Sequence, residues 1–245
     1  MKVAISTAGL GKAYFDGWGN PAPFSLDAVS LEISAGETTG IFGGNGSGKT
    51  TLVKLLCGLI RPTTGSVLIF GKPPVLAVAK DAIGFLPERP EFPGYLTVEK
   101  TLRFLGRISG LRAARLHDRV WYCMEVVDLQ NQAGKRVQTL SKGSLQRLGI
   151  AQALVHDPKI LILDEPTDGL DPLARHRVMD VLQNLKAEGK TLLLCSHYLS
   201  RMEEFCDKTL ILHEGKTLYW GKPAFQPTLE TWLLNYLKGT KNSKG

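Results

Sequence analysis

Gly43-Gly44-Asn45-Gly46-Ser47-Gly48-Lys49-Thr50 decides how the rest of this 245-residue chain is read. The spacing G-x-x-x-x-G-K-T is that of a loop whose backbone N–H groups cradle nucleotide phosphates. Its glycines take positive φ without steric cost, so successive N–H groups turn inward on one anion. Lys49 supplies a compact ammonium group, and the Thr50 hydroxyl suits a magnesium ion. Glycine-rich loops also serve as plain turns, but the flanks argue for the cradle. Thr39 to Phe42 reads as the end of a short strand, and the chain from Thr51 to Gly58 reads as a helix with apolar residues at 52, 55, 56 and 59. A helix starting near Lys49 turns its positive end toward the phosphates, so Gly43 to Thr51 is taken as the nucleotide-binding set.

With 43% apolar residues, the chain is rich enough to bury a core, either as one large α/β domain or as a core carrying a small inserted lobe. No run approaches the roughly 18 apolar residues of a spanning helix, and the N-terminal stretch is too short and polar for a secretory signal, so an intracellular protein is expected. Cys57, Cys123, Cys195 and Cys206 lack C-x-x-C spacing and read as reduced residues, mostly buried. The net charge of +7 raises a nucleic-acid partner, yet much of it sits in two places: Arg103, Arg107, Arg112, Arg115 and Arg119 in one helical stretch, and Lys238, Lys241 and Lys244 in the tail. A solvated helix face accounts for such a run, with anionic lipid headgroups or an acidic partner as the other readings.

Strands alternate with helices in the manner of a mainly parallel sheet. Val67–Phe70, Lys159–Leu163 and Thr191–Cys195 are short, apolar and bounded by turn residues. Thr209–His213 and Thr217–Trp220, joined through Glu214-Gly215-Lys216, read as a hairpin. Asp171-Pro172 predicts a helix with Asp as cap and Pro at its first position, apolar at 173, 178, 181, 182 and 185. Residues 90 to 150 carry helical periodicity instead, at Val98, Leu102, Leu105 and Ile108 and again at Val120, Met124 and Val127. The expected organisation is one domain over 1–245, with an α/β core at about 1–89 and 151–222, a helical lobe at about 90–150 and a helical tail at about 227–245.

A second constellation closes the apolar run Ile160-Leu161-Ile162-Leu163 with Asp164-Glu165. Ligands gather at the carboxyl ends of strands in an open α/β sheet, which brings Asp164 to the edge that holds Lys49. Asp164 is expected to hold magnesium, and Glu165 to orient and deprotonate an attacking water. Alone, Asp164-Glu165-Pro166 could also merely open a polar loop.

From about residue 3 to 222 these features resemble the nucleotide-binding subunit of ABC transporters. Leu140-Ser141-Lys142-Gly143-Ser144-Leu145-Gln146-Arg147, about twenty residues before the acidic strand, is similar to the family signature, with Lys142 where a second glycine is usual and Ser144 where glutamine is usual. Alone, Ser141 reads as an ordinary helix N-cap. The resemblance implies that Ser141 and Gly143 close over the γ-phosphate held by the opposite copy in a head-to-tail dimer. Thr167-Asp168-Gly169-Leu170-Asp171 looks like the loop that couples the two sites. His197 falls where the family places a histidine contacting the γ-phosphate and the catalytic glutamate. Tyr14 falls where an aromatic ring stacks on adenine, with Phe15 a near-equal candidate. Glu88, in Leu86-Pro87-Glu88-Arg89, stands where glutamine is most common. It either offers oxygen to the metal and water or turns to Arg89.

The resemblance implies a P-loop NTPase core with a mainly parallel sheet, an N-terminal antiparallel β part and an inserted helical subdomain. It also implies an ATPase that uses ATP and Mg²⁺, with Glu165, His197 and Lys49 catalytic. Its partners would be a second copy of itself and an integral membrane permease, at the cytoplasmic face of the cell membrane, rather than nucleic acid. Lys142 and the compact length resemble exporter-type subunits. The Glu91–Tyr95 loop is suited either to receiving a helix of that permease or to anchoring locally. In the tail, Leu229, Trp232, Leu233, Tyr236 and Leu237 lie at helical spacing, suited to docking on the core, to dimer contacts or to a membrane surface. A soluble ATPase of translation or repair and a non-hydrolysing nucleotide sensor are the competing classes.

Overall fold

Strands that are buried at every position need a layer on both faces, and β6 (Ile160–Asp164) and β7 (Thr191–Ser196) have one. Leu161, Leu163, Leu192 and Leu194 enter one buried cluster, whereas Ile160, Ile162, Leu193 and Cys195 enter another on the opposite face. The period of two thus survives inside an apolar run and splits the core into two layers. In the computed structural model, which describes residues 2–16, 18, 21–197, 205–223, 231–233 and 236, these strands lie at the heart of a six-stranded sheet.

The strand order is β5 (Ile83–Leu86), β6, β7, β3 (Thr38–Phe42), β8 (Lys208–His213), β9 (Lys216–Gly221). All neighbours are parallel except β8 and β9, which form the expected hairpin across Glu214-Gly215. The second sheet is antiparallel, in the order β2 (Pro21–Ser34), β1 (Val3–Phe15), β4 (Thr64–Ile69). The Val67–Phe70 segment therefore corrects the sequence reading in two ways. Its strand pairs with β1 outside the parallel sheet, and Phe70 has already left it for a turn. Side-chain pattern marks a strand but carries no information about which strand it meets.

Helix α1 (Lys49–Leu56) buries Leu52, Val53, Leu55 and Leu56 against the second cluster. The expected Leu59 is not on this face. Gly58 takes φ 65 and ends the helix, leaving Leu59 60% exposed. A four-residue turn of helix, α2 (Ala77–Lys80), leads into β5. The helical segment then holds α3 (Val98–Ile108) and α4 (Ala113–Val126), followed by α5 (Lys142–Leu154), which runs unbroken through residue 150. Val98 and Leu102 are buried as expected, but Ile108 falls in the last turn of α3 and is 68% exposed. Helix α5 crosses β5 closely: a Cβ on Gly84 would collide with the Ala153 carbonyl, and one on Gly149 would meet Leu86 at 2.5 Å. Helix α6 (Pro172–Ala187) starts as read, its Asp171 side chain accepting the Ala174 N–H at 3.0 Å. Leu173, in its first turn, is exposed rather than part of the buried stripe.

All four cysteines are free and buried, and burial pushes the Cys57 and Cys206 thiols up to about 12, so they pack as small apolar groups. Of the arginine run, Arg103 binds Glu99 at 2.7 Å, and Arg119 donates to the Leu154 carbonyl at 2.8 Å. Trp232 and Leu233 of the tail pack on the core, with Trp232 edge-on to Tyr219. Leu229, Leu237 and the three tail lysines lie outside the described residues.

Candidate functional site at the carboxyl ends of the parallel strands

The adjacent parallel strands β5, β6, β7 and β3 each release a candidate residue at their carboxyl ends. Glu88 follows β5, Asp164 and Glu165 end and follow β6, His197 follows β7, and the glycine-rich loop follows β3. Gly44 to Thr51, Glu88, Asp164 and Glu165 line one cavity of about 300 Å³.

The loop is shaped for close approach. Gly46 and Gly48 take φ 74 and 109, and the Lys49 ammonium is buried, donating to the Gly43 carbonyl at 2.7 Å and the Gly44 carbonyl at 3.3 Å. A Cβ on Gly43 would collide with Ser47, so only glycine fits there. The Ser47 hydroxyl is buried with no hydrogen-bond partner among the described residues, as a group awaiting a polar ligand would be. Among these groups Lys49 brings one full positive charge, which fits a polyphosphate.

On the other wall, Glu165 is held at φ 48, an unfavourable conformation for a residue with a Cβ. Its N–H donates to the Cys195 carbonyl at 2.9 Å, and that bond to β7 helps to hold the turn. Its carboxylate Oε1 lies 2.8 Å from His197 Nδ1 and 3.8 Å from Lys49 Nζ. His197 Nε2 lies 3.7 Å from Asp168, whose own N–H donates to the Glu165 carbonyl at 3.2 Å. An ionised carboxylate only accepts, so Glu165 fixes Nδ1 as the protonated nitrogen of the ring.

Asp164 is buried, and its carboxyl is pushed up to about 6. Burial is the main cause, followed by Glu165; Glu88 adds to the rise, while Lys49 and a hydrogen bond from Thr50 oppose it. A divalent cation fits this wall: Thr50, Asp164 and Glu88 are oxygen donors, and excess carboxylate charge is what a cation relieves. Glu88 is half-exposed, and its pair with Arg89 at 3.7 Å is between exposed groups, worth about 0–1 kcal/mol and too weak to withhold it.

Tyr14 reaches the loop, its hydroxyl 3.3 Å from Thr51 Oγ1, with the Lys12 ammonium 5.7 Å from its ring centre. Phe15 is 57% exposed. Ser141 and Gly143 lie apart from these residues, lining a separate cavity of about 160 Å³ with Ser144, Arg147 and Asp171. Ser141 caps α5, its hydroxyl accepting the Ser144 N–H at 3.2 Å. A Cβ on Gly143 would meet that of Ala174 at 2.8 Å, so glycine lets the starts of α5 and α6 touch. Lys142 reaches across to Gly169 in the loop after β6.

A family model for the ABC transporter matches residues 26–168, more than half of the chain. The chain belongs to the ABC transporter family. An ABC transporter ATP-binding protein of Nostoc sp., named as uncharacterized, is 40% identical over 89% of this chain and 66% of its own length. A Nod factor export ATP-binding protein I of Burkholderia lata is 39% identical over 81% of this chain and 66% of its own. The chain thus spans about two thirds of the length of the curated relatives it matches. Among solved structures, cbiO1 of Clostridium perfringens, part of the ABC transporter complex cbiONQ, superposes with a TM-score of 0.79 at 29% identity, covering 91% of this chain and 90% of that one. An ATP-binding cassette solved as a dimer in a post-hydrolysis state with ADP and Pi gives a TM-score of 0.79 at 26% identity, covering 90% of this chain and 99% of that one. The fold is that of ABC ATPase subunits: a mainly parallel core, an antiparallel β part and a helical segment.

Two features of this ABC chain escaped sequence reasoning. Asp168, as partner of His197, is brought there only by the adjacency of β6 and β7. Arg147, buried, donates to the Val127 and Asp128 carbonyls and pairs with Asp128, tying α5 to the end of α4. Its polar place in an otherwise buried helix was the available signal.

The Asp164 shift carries a stability prediction. Its carboxyl is raised in the folded state, so its contribution is most favourable below the ordinary carboxylate range and is lost as pH rises through about 6. At pH 8 without metal, Asp164→Asn is expected to stabilise the fold by on the order of 2 kcal/mol, with the gain vanishing toward pH 4. Thermal unfolding in chelator at the two pH values measures it, and a gain that is equal at both refutes the burial argument.

Proposed function

We propose that this chain binds Mg-ATP in the cavity of Gly44 to Thr51, hydrolyses it, and so powers a separate membrane permease. The observation that carries the reading is the meeting of Glu165 with His197 at 2.8 Å on the wall facing Lys49. Thr50, Asp164 and Glu88 would hold the magnesium, which when bound would neutralise charge on the phosphates. Glu165 takes the proton of the attacking water. His197, braced by Asp168, orients that carboxylate and reports on the γ-phosphate. Lys49 and the loop N–H groups hold the phosphates, and Tyr14 stacks on adenine. These steps divide the work between positioning and electrostatics, as phosphoryl transfer requires.

Ser141 and Gly143 sit in a cavity of their own, so we assign them to the nucleotide held by a second copy. The dimer reported for the relative with ADP and Pi supports that assignment. ATP then joins two copies head to tail, and hydrolysis removes the group that holds them shut. A similar solved protein is part of an ABC transporter complex, which supports a separate permease at the inner face of the cell membrane. Relatives named for Nod factor export favour an exporter-type system. Glu165 beside His197 favours hydrolysis over nucleotide sensing.

The test uses the purified full chain, with phosphate release and sedimentation followed with and without ATP and magnesium. Turnover that chelator abolishes, together with a dimer that forms on ATP addition, is the expected outcome. A chain that neither binds ATP nor self-associates in its presence removes the proposal. Co-purification with an integral membrane protein tests the permease, and recovery of ribosomes or DNA instead moves the chain to the soluble class.

A further inference from the structure

We propose a second anion site, built by Lys2, Phe70 and Lys159 on the edge of the sheet opposite the phosphate loop, that takes a small organic phosphate monoester. These residues line a cavity of about 310 Å³ together with Glu188, Lys190 and Thr191. Thr191 opens β7 and Lys159 immediately precedes β6, so the cavity lies at the amino ends of strands whose carboxyl ends carry the nucleotide site.

The first support is charge. The Lys2 and Lys159 ammonium groups stand 5.3 and 5.8 Å from the centre of the same Phe70 ring. Neither has a carboxylate within 4.0 Å among the described residues, whereas Lys190 is engaged by Asp157 at 2.9 Å. Glu188, the one acid among the lining residues, accepts the Tyr122 hydroxyl at 2.7 Å. Two like charges lining one cavity repel each other, and an anion bound in that cavity offsets the repulsion.

The second is the turn that carries the ring. Phe70 and Gly71 are the central pair of a tight turn, at φ 47 and 78, closed by paired bonds between Ile69 and Lys72 at 2.7 and 2.9 Å. Positive φ at both centres favours Asn-Gly, and a bulky residue at the first of them is strained by its Cβ. A residue that breaks the local rule, half-buried against the core and lining the cavity that both lysines line, points to a function for its ring. The third is rigidity. The Ala35 N–H donates to the Lys2 carbonyl at 2.8 Å, the Thr191 N–H to the Lys159 carbonyl at 3.0 Å, and the Gly36 N–H to Thr191 Oγ1 at 2.9 Å. The backbone of both lysines is therefore fixed before any ligand arrives.

The cavity stands at the lower end of small-molecule pockets and exceeds what a bare phosphate fills. The ammonium groups suit the phosphate oxygens, and Phe70 suits an apolar body. Calorimetric titration of the full chain with phenyl phosphate, and separately with inorganic phosphate, tests this. Phenyl phosphate is expected to bind the parent and Lys49→Ala alike, and to bind the double variant Lys2→Gln, Lys159→Gln about tenfold or more weakly. The lysines are exposed, so the double variant keeps the parent melting temperature. Absent heat, or binding lost in Lys49→Ala but kept in the double variant, overturns the site. Equal affinity for the two probes overturns the organic body. The Lys49→Ala arm keeps this outcome separate from any failure of the nucleotide reading.

Discussion

Replacing Glu165 by Gln is expected to cut ATP turnover by roughly 10²- to 10⁴-fold while leaving nucleotide affinity within about threefold of the parent. Glutamine keeps the length and volume of the side chain, and its amide oxygen still accepts from His197 Nδ1, now 2.8 Å from the carboxylate. It cannot take a proton from water. It also removes a negative charge from a cavity that must receive a polyphosphate and that already pushes the Asp164 carboxyl up to about 6. Binding therefore has no reason to weaken. A nucleotide that binds and is not cleaved continues to hold two copies together, so the variant is expected to form a dimer in ATP that outlasts the parent's. Single-turnover phosphate release and light scattering after gel filtration read the two effects separately. Turnover above a tenth of the parent's removes Glu165 as the base; lost turnover without the lasting dimer leaves the base standing and removes ATP as the joint.

The contrast between Glu165 and Asp168 shows where sequence reading stops. Asp164-Glu165 was legible because an apolar strand ends in it, and the rule that ligands sit at the carboxyl ends of parallel strands supplied the rest. The glycine-rich loop was legible because its residues are contiguous and the geometry they need is local. The pairing of His197 with both Glu165 and Asp168 joins segments from two strands, and it exists only because β7 lies next to β6. The same limit explains β4, whose apolar pattern is right and whose sheet is not. Leu59, Ile108 and Leu173 carry another lesson: periodicity places a residue on a face only while the helix lasts, and all three lie in the first or last turn or just past it. The chemistry was local and could be read; the contact of His197 with Glu165 came only through the family resemblance, and its contact with Asp168 was a matter of topology that neither route supplied.

Lys49→Ala is expected to lower ATP affinity by about a hundredfold or more, because two or more charge-assisted hydrogen bonds to phosphate oxygens, each worth roughly 1.5–3 kcal/mol, are lost together. The side chain also shapes its own loop, bonding the Gly43 and Gly44 carbonyls at 2.7 and 3.3 Å. Alanine leaves these carbonyls and the Glu165 carboxylate without their cation, so the loop loses its curvature as well as its charge. Arginine restores the charge but not the fit, since a planar fork does not replace a compact ammonium group in a space this buried. Lys49→Arg is accordingly expected to bind ATP as poorly as Lys49→Ala. Equilibrium titration with a fluorescent ATP analogue, on variants whose circular dichroism and melting confirm folding, measures both. Recovery of affinity by arginine reduces Lys49 to a bare charge, whereas unaltered affinity in alanine takes the phosphates away from this loop altogether.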